Sequence, residues 1–238
     1  MKIKVLGCSN SWTEKHTSCF LVNDNILIDC GIDAYKAYIK LGKPLTDIKL
    51  FLISHFHADH IMGLYIFLTE YVEAKNKIDK KPIIVGLKGI KKFCTKIFKM
   101  CNLYGADLTK YFEFIEIDKN STIQFENFKI EIFKFTHGEV YDLGYVLTKD
   151  NFGFGYTGDI DAKNKLTPFI NKCDMCFIDA SGLQSSLRHF GANDLVKLIN
   201  QYPTKQFYAT HYSKQVLECE HLKDNLLKEN DEFEVGIN

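Results

Sequence analysis

The chain has 238 residues, of which 46% are hydrophobic and 25% charged, so it is too apolar for a disordered protein and long enough for a sizeable core. Its 30 basic and 30 acidic residues give a formal net charge of zero, which excludes a global attraction to nucleic acid or to an anionic membrane. The sequence contains no run of about 18 apolar residues, so we predict no transmembrane segment.

The first residues and the cysteines bear on the cellular compartment. The apolar stretch of Val5 and Leu6 is far too short for the core of a signal peptide. Eight cysteines without a secretory signal indicate reduced thiols, and we expect a cytoplasmic protein. Cys173 and Cys176 form a lone CxxC, which favours a structural role over a zinc ribbon because a ribbon needs a second such pair.

In the first half of the chain, apolar runs bounded by Gly, Asn and Asp predict strands, and helical spacing predicts helices between them. The predicted strands cover residues 3–6, 19–22, 26–29, 50–53 and 83–85. The predicted helices cover residues 34–41, 61–74 and 90–102.

The second half repeats this pattern. The predicted strands cover residues 112–117, 123–125, 128–135, 144–148, 153–156, 175–179 and 206–209. The predicted helices cover residues 162–170, 193–201 and 213–228. Two β-rich halves with peripheral helices predict an α+β fold, an αββα sandwich in which two mixed sheets pack face to face. No Pro- or Ser-rich linker divides the halves, so we expect one domain over residues 1–238.

A cluster of imidazoles and a carboxylate follows the strand predicted to end near Ile53, in the sequence SHFHADH. His55 and His57 are two residues apart on an extended segment, so both rings can project the same way and share one metal. Asp59 and His60 lie where a helix is predicted to begin, which turns them toward a neighbouring position. They are candidates for a second metal.

Further histidines lie at or near the ends of predicted strands or in the loops after them, where binding residues are expected. Imidazole and carboxylate ligands suit zinc or manganese, and the absence of thiolates disfavours a purely structural zinc site. Two such ions about 3.5 to 4 Å apart generate a hydroxide nucleophile at neutral pH and hold the attacking and leaving oxygens.

The HxHxDH signature resembles that of the metallo-β-lactamase-fold hydrolases, and His137, Asp159 and His211 follow in the order of that family. The resemblance covers nearly the whole chain and implies the metallo-β-lactamase fold with two metal ions. It assigns one metal to His55, His57 and His137, the other to Asp59, His60 and His211, and the bridging position to Asp159. It also implies that Asp29, in LIDCG, supports the histidine loop by hydrogen bonding.

Other branches of the superfamily differ from this chain at the ligand positions. The commonest β-lactamases carry Cys where this chain has Asp159, and the flavodiiron oxygen reductases carry Glu where it has His57. Glyoxalase-type thioesterases and lactonases share all the ligands, so an ester, lactone or thioester hydrolase remains an alternative.

The opening IKVLGCSNSW and the segment FIDASGLQSSLRHF resemble the phosphodiesterase branch, which includes ribonuclease Z and the cyclic-phosphate phosphodiesterases. The matched positions are Asp179 and His189. Ribonuclease Z has His-Glu-Ala-Thr where this chain reads Ile-Asp-Ala-Ser, so one histidine is missing. Chemically, His189 oriented by Asp179 can protonate the departing oxygen. We therefore name Asp59, Asp179 and His189 as candidate catalytic residues.

Three features leave the substrate open. Arg188, the only arginine, suits a phosphate, although a surface salt bridge fits equally well. The stretch from Lys75 to Lys99 is rich in lysine, which is typical of a solvated helix face and is also suited to RNA. The chain has no room for the long arm with which ribonuclease Z grips tRNA, which favours small substrates. His16 and His221 are interpreted as surface residues.

We therefore predict a hydrolase with two divalent metal ions, Zn²⁺ by default with Mn²⁺ or Fe²⁺ as alternatives, that cleaves a cyclic or small nucleotide-like phosphodiester. An RNA-processing nuclease is the first alternative. A metal-dependent phospho-ligand sensor without turnover is the non-enzymatic one. We expect no membrane partner, and we leave a homodimer open.

Overall fold

The structure, a computed structural model, describes residues 1–74, 80–101 and 107–236. Its strands are β1 (Lys2–Gly7), β2 (Cys19–Val22), β3 (Ile26–Ile28), β4 (Leu50–Leu52), β5 (Ile83–Leu87), β6 (Glu113–Ile117), β7 (Ser121–Phe125), β8 (Phe128–His137), β9 (Val140–Lys149), β10 (Phe152–Tyr156), β11 (Met175–Asp179), β12 (Gln206–Thr210) and β13 (Glu232–Glu234). They form a seven-stranded sheet in the order β13-β1-β2-β3-β4-β5-β6 and a six-stranded sheet in the order β12-β11-β10-β9-β8-β7. Both sheets contain parallel and antiparallel pairs.

The α-helices are α1 (Ala34–Ile39), α2 (Ala58–Ile61), α3 (Leu64–Ala74), α4 (Ile90–Cys101), α5 (Thr167–Ile170), α6 (Ala192–Gln201) and α7 (Lys214–Leu217). Short 3₁₀ helices cover Leu45–Asp47, Leu108–Lys110 and Glu220–Asn225. In the part of the chain that the structure describes, no helix is long and apolar enough to cross a membrane.

Alternating side chains of the strands build two apolar layers. In β3, Ile26 and Ile28 belong to the core between the sheets, where Phe20 of the first sheet packs edge-on against Tyr156 of the second at 5.0 Å. Leu27, between them in sequence, belongs to a separate cluster with Phe67 and other residues of α1, α3 and α4. Because both faces of β3 are covered, its three residues are all fully buried. The predicted αββα sandwich is confirmed.

Of the helices predicted in the first half of the chain, one is interrupted and another is observed almost as predicted. The helix predicted over 61–74 is interrupted, because α2 ends at Ile61 and α3 begins at Leu64. At the break, Gly63 packs so closely against the loop after β3 that a Cβ on it would lie 1.9 Å from the Gly31 carbonyl oxygen. The N–H of Gly63 donates to the carbonyl of Cys30 at 2.9 Å, so the break fastens the helices to the loop after β3. The helix predicted over 90–102 is observed as α4 over Ile90–Cys101, and Asn102 lies outside the described residues.

Two further helix predictions are wrong over most of their length. Residues 162–166 form turns in which Asn164 hydrogen-bonds to Thr136 and Asp161, so α5 contains only four residues. The helix predicted over 213–228 is α7 followed by a 3₁₀ helix. After the 3₁₀ helix, Leu226 forms a β-bridge with Ala209 of β12, so this segment packs along β12 and does not continue a helix. Strand β13 was not predicted.

Candidate metal centre

The ends of several strands bring the predicted site residues to one edge of the sandwich. Strands β10, β11 and β12 run parallel to one another, so their carboxyl ends share an edge. Asp159 follows β10, Asp179 ends β11, and His211 follows β12. His137 ends β8, which lies in the same sheet. The second sheet thus contributes four of the predicted side chains.

Four more lie after strand β4 of the first sheet, and the ninth, His189, lies in the loop before α6. The chain leaves β4 at Leu52 and places His55 and His57 in an extended loop. Helix α2 begins after His57, and Asp59 and His60 lie in its single turn. The side chains of this histidine loop therefore face those of the second sheet across the edge of the sandwich.

Three nitrogen atoms converge in the first set of side chains. His57 Nδ1 lies 2.9 Å from His55 Nε2 and 3.3 Å from His137 Nε2. The other nitrogen of each outer ring is engaged, because His55 Nδ1 lies 2.9 Å from Asp142 Oδ1 and His137 Nδ1 donates to the carbonyl of Arg188. In neutral rings held this way, the Nε2 atoms of His55 and His137 carry lone pairs directed toward His57 Nδ1. A cation between the three nitrogens would accept all three lone pairs.

A second set contains Asp59, His60 and His211. Asp59 Oδ2 lies 3.2 Å from His211 Nε2 and 3.8 Å from His60 Nε2. His60 Nδ1 lies 2.7 Å from Asp29 Oδ2, which fixes the ring and leaves Nε2 facing the set. This buried Nε2 has no hydrogen-bond partner among the described residues.

Asp159 lies between the two sets. Its Oδ1 is 3.4 Å from His60 Nε2, and its Oδ2 is 3.4 Å from His211 Nε2. The same Oδ2 is 3.8 Å from His137 Nε2 and 3.9 Å from His55 Nε2. Asp159 is buried, and its Oδ1 also lacks a hydrogen-bond partner within the described ranges. One carboxylate therefore lies close to both sets.

These observations fit divalent metal ions. Buried polar atoms are normally hydrogen-bonded. His60 Nε2 and Asp159 Oδ1 face each other at 3.4 Å, and neither has a hydrogen-bond partner among the described residues. A cation between them would satisfy both atoms. The side chains that could hold ions fall into three groups. These are His55, His57, His137 and Asp159; Asp59, His60 and His211; and Asp159, Asp179, His189 and His211. The structure thus brings together every side chain of the predicted ligand set, and it places Asp179 and His189 in a group with two of them. Imidazole and carboxylate donors without thiolate suit zinc, manganese or iron(II).

Charges within the centre stabilise positive charge at two of its histidines. Burial disfavours the charged form of His211, but Asp159 and the nearby carboxylates of Asp179 and Asp59 outweigh burial and raise the pKa of His211 to about 10. Burial likewise opposes charge on His60, and Asp159 and Asp29 raise its pKa. In Asp159, burial is outweighed by the facing imidazoles, chiefly His211 and His60, so its pKa is lowered.

Asp29 holds the histidine loop in place. Its Oδ1 accepts from the backbone N–H of Ser54 at 2.7 Å, and its Oδ2 accepts from Tyr156 Oη at 2.7 Å and from His60. Asp29 has a φ of +54° and His211 a φ of +55°, a left-handed conformation that is uncommon outside glycine. Local strain of this kind persists where surrounding contacts fix the residue, and it is frequent at functional sites.

His189 and Asp179 form a hydrogen-bonded pair at the margin of the centre. His189 Nδ1 lies 3.0 Å from Asp179 Oδ2 and 3.8 Å from Asp159 Oδ2. Asp179 is fully buried and also accepts from the backbone N–H of Ile160, which fixes its carboxylate. Burial lowers the pKa of His189, but the hydrogen bond to Asp179 and the negative charges of Asp179 and Asp159 outweigh it and raise this pKa.

Of the other residues singled out in the sequence, Arg188 lies at the site, whereas His16 and His221 do not. Arg188 and His189 line a cavity of about 170 Å³ together with residues of both metal-ligand sets. Arg188 is exposed and pairs with no acidic side chain among the described residues. His16 lies away from this cavity, 3.1 Å from Asp33, and His221 is exposed.

Sequence reasoning missed several functional candidates. Asp142 contacts His55 and is fully buried, and its signal was the single carboxylate in strand β9. Tyr156 Oη binds Asp29, but a tyrosine at a strand end carries no distinctive signal. Trp12, the only tryptophan, lines the cavity with 88% of its surface exposed.

The lysine-rich stretch is described in part. Lys91, Lys92, Lys96 and Lys99 of α4 line a surface groove of about 520 Å³ with Glu116. All four lysines are exposed, as on an ordinary solvated helix face. Lys75, Lys77 and Asp79 lie outside the described residues.

Comparisons with known proteins agree with this geometry. A family model described as Anti-Pycsar protein Apyc1 matches residues 1–230. The Anti-Pycsar protein Apyc1 of Paenibacillus harenae is 34% identical over 88 residues, which are 35% of this chain and 35% of that protein. Ribonuclease Z of Picrophilus torridus is 26% identical over 244 residues, covering 81% of this chain and 78% of that protein. The resemblance to the phosphodiesterase branch is confirmed.

Solved structures show the same fold. The metallo-β-lactamase fold protein YhfI of Bacillus subtilis superposes with a TM-score of 0.79 at 18% identity, covering 98% of both chains. The short form of human tRNase Z gives a TM-score of 0.77 at 15% identity, covering 100% of both. Zn²⁺-bound PqqB from Methylobacterium extorquens gives 0.72 at 11% identity, covering 99% of this chain and 100% of that chain. The predicted metallo-β-lactamase fold is confirmed.

The chain is shorter than several of its relatives. It spans 35% of the length of the Paenibacillus harenae protein in the matched region, and 35% of that of ribonuclease Z from Ignicoccus hospitalis, with which it is 27% identical over 111 residues. The match to the family model, in contrast, extends over almost the whole chain.

Proposed function

The chain belongs to the Anti-Pycsar protein Apyc1 family, and from this premise we propose that it is a dinuclear metal-dependent phosphodiesterase that cleaves a cyclic or small nucleotide-like phosphodiester. One observation carries the proposal. The Asp159 carboxylate is shared by two sets of metal-ligand side chains, and His189 lies 3.8 Å from the same carboxylate. Ligands for two ions and a proton donor thus surround one small cavity.

His55, His57 and His137 would hold one divalent ion, and Asp59, His60 and His211 the other, with Asp159 binding both. Zn²⁺ is the default, and Mn²⁺ and Fe²⁺ suit the same donors. When bound, two such ions activate a water for attack and neutralise charge on the phosphodiester. Asp29 and Asp142 keep His60 and His55 in the orientation that presents Nε2 to the centre.

His189 is the proton donor in this proposal. The hydrogen bond from Nδ1 to Asp179 leaves Nε2 as the nitrogen that can face the substrate. When the bond between phosphorus and the departing oxygen breaks, that oxygen takes the electron pair and a proton from His189. Asp179 holds the ring during this transfer and stabilises its charged form.

The dimensions of the site favour a small substrate. The cavity at the centre has a volume of about 170 Å³, and Arg188 lines it with no acidic partner among the described residues. Its guanidinium can donate two parallel hydrogen bonds to two oxygens of a phosphate. In the described parts of the chain between His60 and His137, the elements belong to the first sheet, to helices packed on it, or to the β7–β8 hairpin.

An RNA-processing nuclease is the second candidate, supported by the relatives named ribonuclease Z and by the lysine groove on α4. Replacing Lys91, Lys92 and Lys96 by alanine separates the two candidates. If the groove binds an RNA backbone, the variant binds RNA more weakly and with a flatter salt dependence. An unchanged salt dependence supports the small substrate.

The direct test of the proposed function compares substrate classes. Metal-loaded protein is assayed with 3′,5′-cyclic nucleotides, short RNAs, lactones and thioesters, beside the Asp59→Ala variant. Metal-dependent release of a nucleoside monophosphate that is lost in Asp59→Ala supports the proposal. Cleavage of lactones or thioesters without phosphodiester cleavage rejects it. Tight binding of a phosphorylated ligand without any product indicates a sensor instead.

A further inference from the structure

A second cavity, of about 390 Å³, adjoins the metal centre and shares the side chains of His55 and His57 with it. We call it the hairpin pocket, because Val140 and Tyr141 of the β8–β9 hairpin form one side of it. Phe56, Leu87 and Ile117 line other parts of its wall. Its volume lies within the range of about 300 to 1,000 Å³ that is typical of small-molecule sites.

We propose that the hairpin pocket binds the nucleobase of the phosphodiester substrate, and that Tyr141 and Phe56 are the residues that select a planar, uncharged ring there. This inference rests on the proposed phosphodiesterase function, since it places the base beside the ions that would hold the phosphate. The argument has three parts: the position of the pocket, its aromatic walls and its polar groups.

The position of the pocket connects it to the reaction. His137, a residue of the first metal-ligand set, pairs directly with Val140 across the β8–β9 hairpin. Phe56 lies between His55 and His57 in the sequence, and both histidines also line the pocket. A ligand that fills the pocket therefore reaches the metal centre without crossing another structural element.

Two aromatic rings are held in place at the pocket. Phe56 stacks on Phe93 of α4 with ring centroids 5.3 Å apart and planes inclined by 17°. The ammonium of Lys134 lies 3.6 Å from the centre of the Tyr141 ring, and it also donates to the carbonyl of Asp118 at 2.9 Å. Rings that are already oriented lose little freedom when a base stacks on them.

The mouth of the pocket exposes apolar surface that a ligand would cover. Tyr141 is 54% exposed and Val140 43% exposed, although both lie in a strand whose next residues are buried. Neighbouring exposed apolar side chains at the entrance of a cavity are typical of ligand-binding grooves.

The polar groups of the pocket suit a base better than a phosphate. Lys134 also lines the pocket, but its ammonium is engaged by the Tyr141 ring and by the carbonyl of Asp118. Lys88 offers a donor, and the carboxylate of Asp118 offers an acceptor. Neither side chain forms an ion pair with any residue in the described ranges. Nucleobases carry donors and acceptors along one edge, which can pair with Lys88 and Asp118, whereas a phosphate would be poorly solvated by Leu87 and Ile117.

The test uses two measurements on the full metal-loaded chain. The first is calorimetric binding of adenosine and cytidine, which carry a base and no phosphate. The second is steady-state hydrolysis of 3′,5′-cyclic AMP and cyclic CMP. The variants are Tyr141→Ala, which removes the ring, Val140→Trp, which fills the mouth, and Tyr141→Phe as the matched control. These positions are partly exposed, so the substitutions leave the core intact.

We expect Tyr141→Ala and Val140→Trp to weaken nucleoside binding and to raise KM about tenfold or more, since stacking on one aromatic side chain has an effect of that size. The value of kcat should change little, and Tyr141→Phe, which keeps the ring, should restore most of the nucleoside binding that Tyr141→Ala loses. Turnover of cyclic nucleotides with nucleoside binding and KM unchanged in both variants overturns the pocket and leaves the function standing. Nucleoside binding that depends on Tyr141, without any phosphodiester turnover, supports the pocket and rejects the function.

Discussion

His55 Nδ1 lies 2.9 Å from Asp142 Oδ1, and this same oxygen is 3.2 Å from the backbone N–H of Asp159. One buried carboxylate from β9 therefore orients a nitrogen ligand of the first set and the residue that both sets share. Asp142 plays the part for His55 that Asp29 plays for His60. The metal centre thus depends on two carboxylates outside the ligand set as well as on the ligands themselves.

Removing this support should weaken metal binding. We expect Asp142→Ala to lower the affinity for Zn²⁺ by about 10- to 100-fold, the usual effect of losing a partner of a metal-bound imidazole. Asp142→Asn keeps an acceptor oxygen and should lose less. Competition with a chromophoric chelator measures the affinity. Asp174→Ala, which removes an acceptor for the N–H of Gly153 far from the ions, is the control. Equal affinities for Asp142→Ala and this control would contradict the role of Asp142.

Gly158 is required by the turn that delivers Asp159. Its φ is +65°, and a Cβ at this position would lie 2.1 Å from Asp142 Oδ2. We expect Gly158→Ala to reduce the free energy of unfolding by at least about 2 kcal/mol, from strain of the left-handed backbone and displacement of Asp142. Urea unfolding measures it. Gly182→Ala is the matched control, because its Cβ would meet its nearest neighbour at 3.5 Å, an ordinary contact. Equal stability of the two variants would refute this explanation.

His189 should matter most for poor leaving groups. A ribose alkoxide needs a proton to depart, whereas p-nitrophenolate leaves readily without one. We expect His189→Ala to lower kcat about 10²- to 10⁴-fold for a cyclic nucleotide and far less for bis(p-nitrophenyl) phosphate. Asp179→Asn should give a smaller loss with the same preference, and the surface variant His221→Ala should give none. An equal loss on both substrates in His189→Ala would assign this residue a role in binding or structure instead.

Buried thiols should make the fold sensitive to alkaline pH. Burial raises the pKa of Cys8 to about 11 and that of Cys94 to about 12, from an ordinary value of 9.0. The protonated form is favoured in the folded state, so this contribution is complete below pH 9 and is lost as pH rises through 11 and 12. Stability should fall by about 1.4 kcal/mol per pH unit per thiol above pH 9.

Urea unfolding at pH 8 and pH 10 tests this expectation. Cys94→Ala should show a smaller loss of stability between the two pH values than the wild type. Cys101→Ala, at an exposed position of the same helix, should show the same loss as the wild type. If Cys94→Ala and Cys101→Ala lose equally, the buried thiol does not contribute.

The parts of the fold and site that were predictable from sequence are those encoded locally. The histidine loop is contiguous, so its residue types and spacing alone suggest a metal centre. Strand β2 was predicted with the observed bounds because its four residues, Cys-Phe-Leu-Val, form a short apolar run. Asp159 and His211 follow the parallel strands β10 and β12, which end at the same edge of the sheet. His137 ends β8, and β8 and β10 both run antiparallel to β9, so it reaches that edge as well.

The parts that were missed depend on contacts between distant segments. The break before α3 lies where Gly63 packs against the backbone of Gly31. The helical periodicity of the sequence does not indicate this contact. The predicted helix after Ser213 ends early because Leu226 pairs with Ala209 of β12. Asp142 is isolated in sequence from His55, so only the sheet topology shows that they meet. Local propensity is a weak prior that tertiary packing overrides.

The central claim, a phosphodiesterase that needs two ions per chain, is tested most directly by titrating metal-free protein with Zn²⁺ while following bis(p-nitrophenyl) phosphate hydrolysis. The account predicts no hydrolysis without metal and a rate that rises with added Zn²⁺ and levels off at two ions per chain. A rate that is independent of metal, or that reaches its maximum at one ion per chain, would contradict it, as would no hydrolysis with both ions bound.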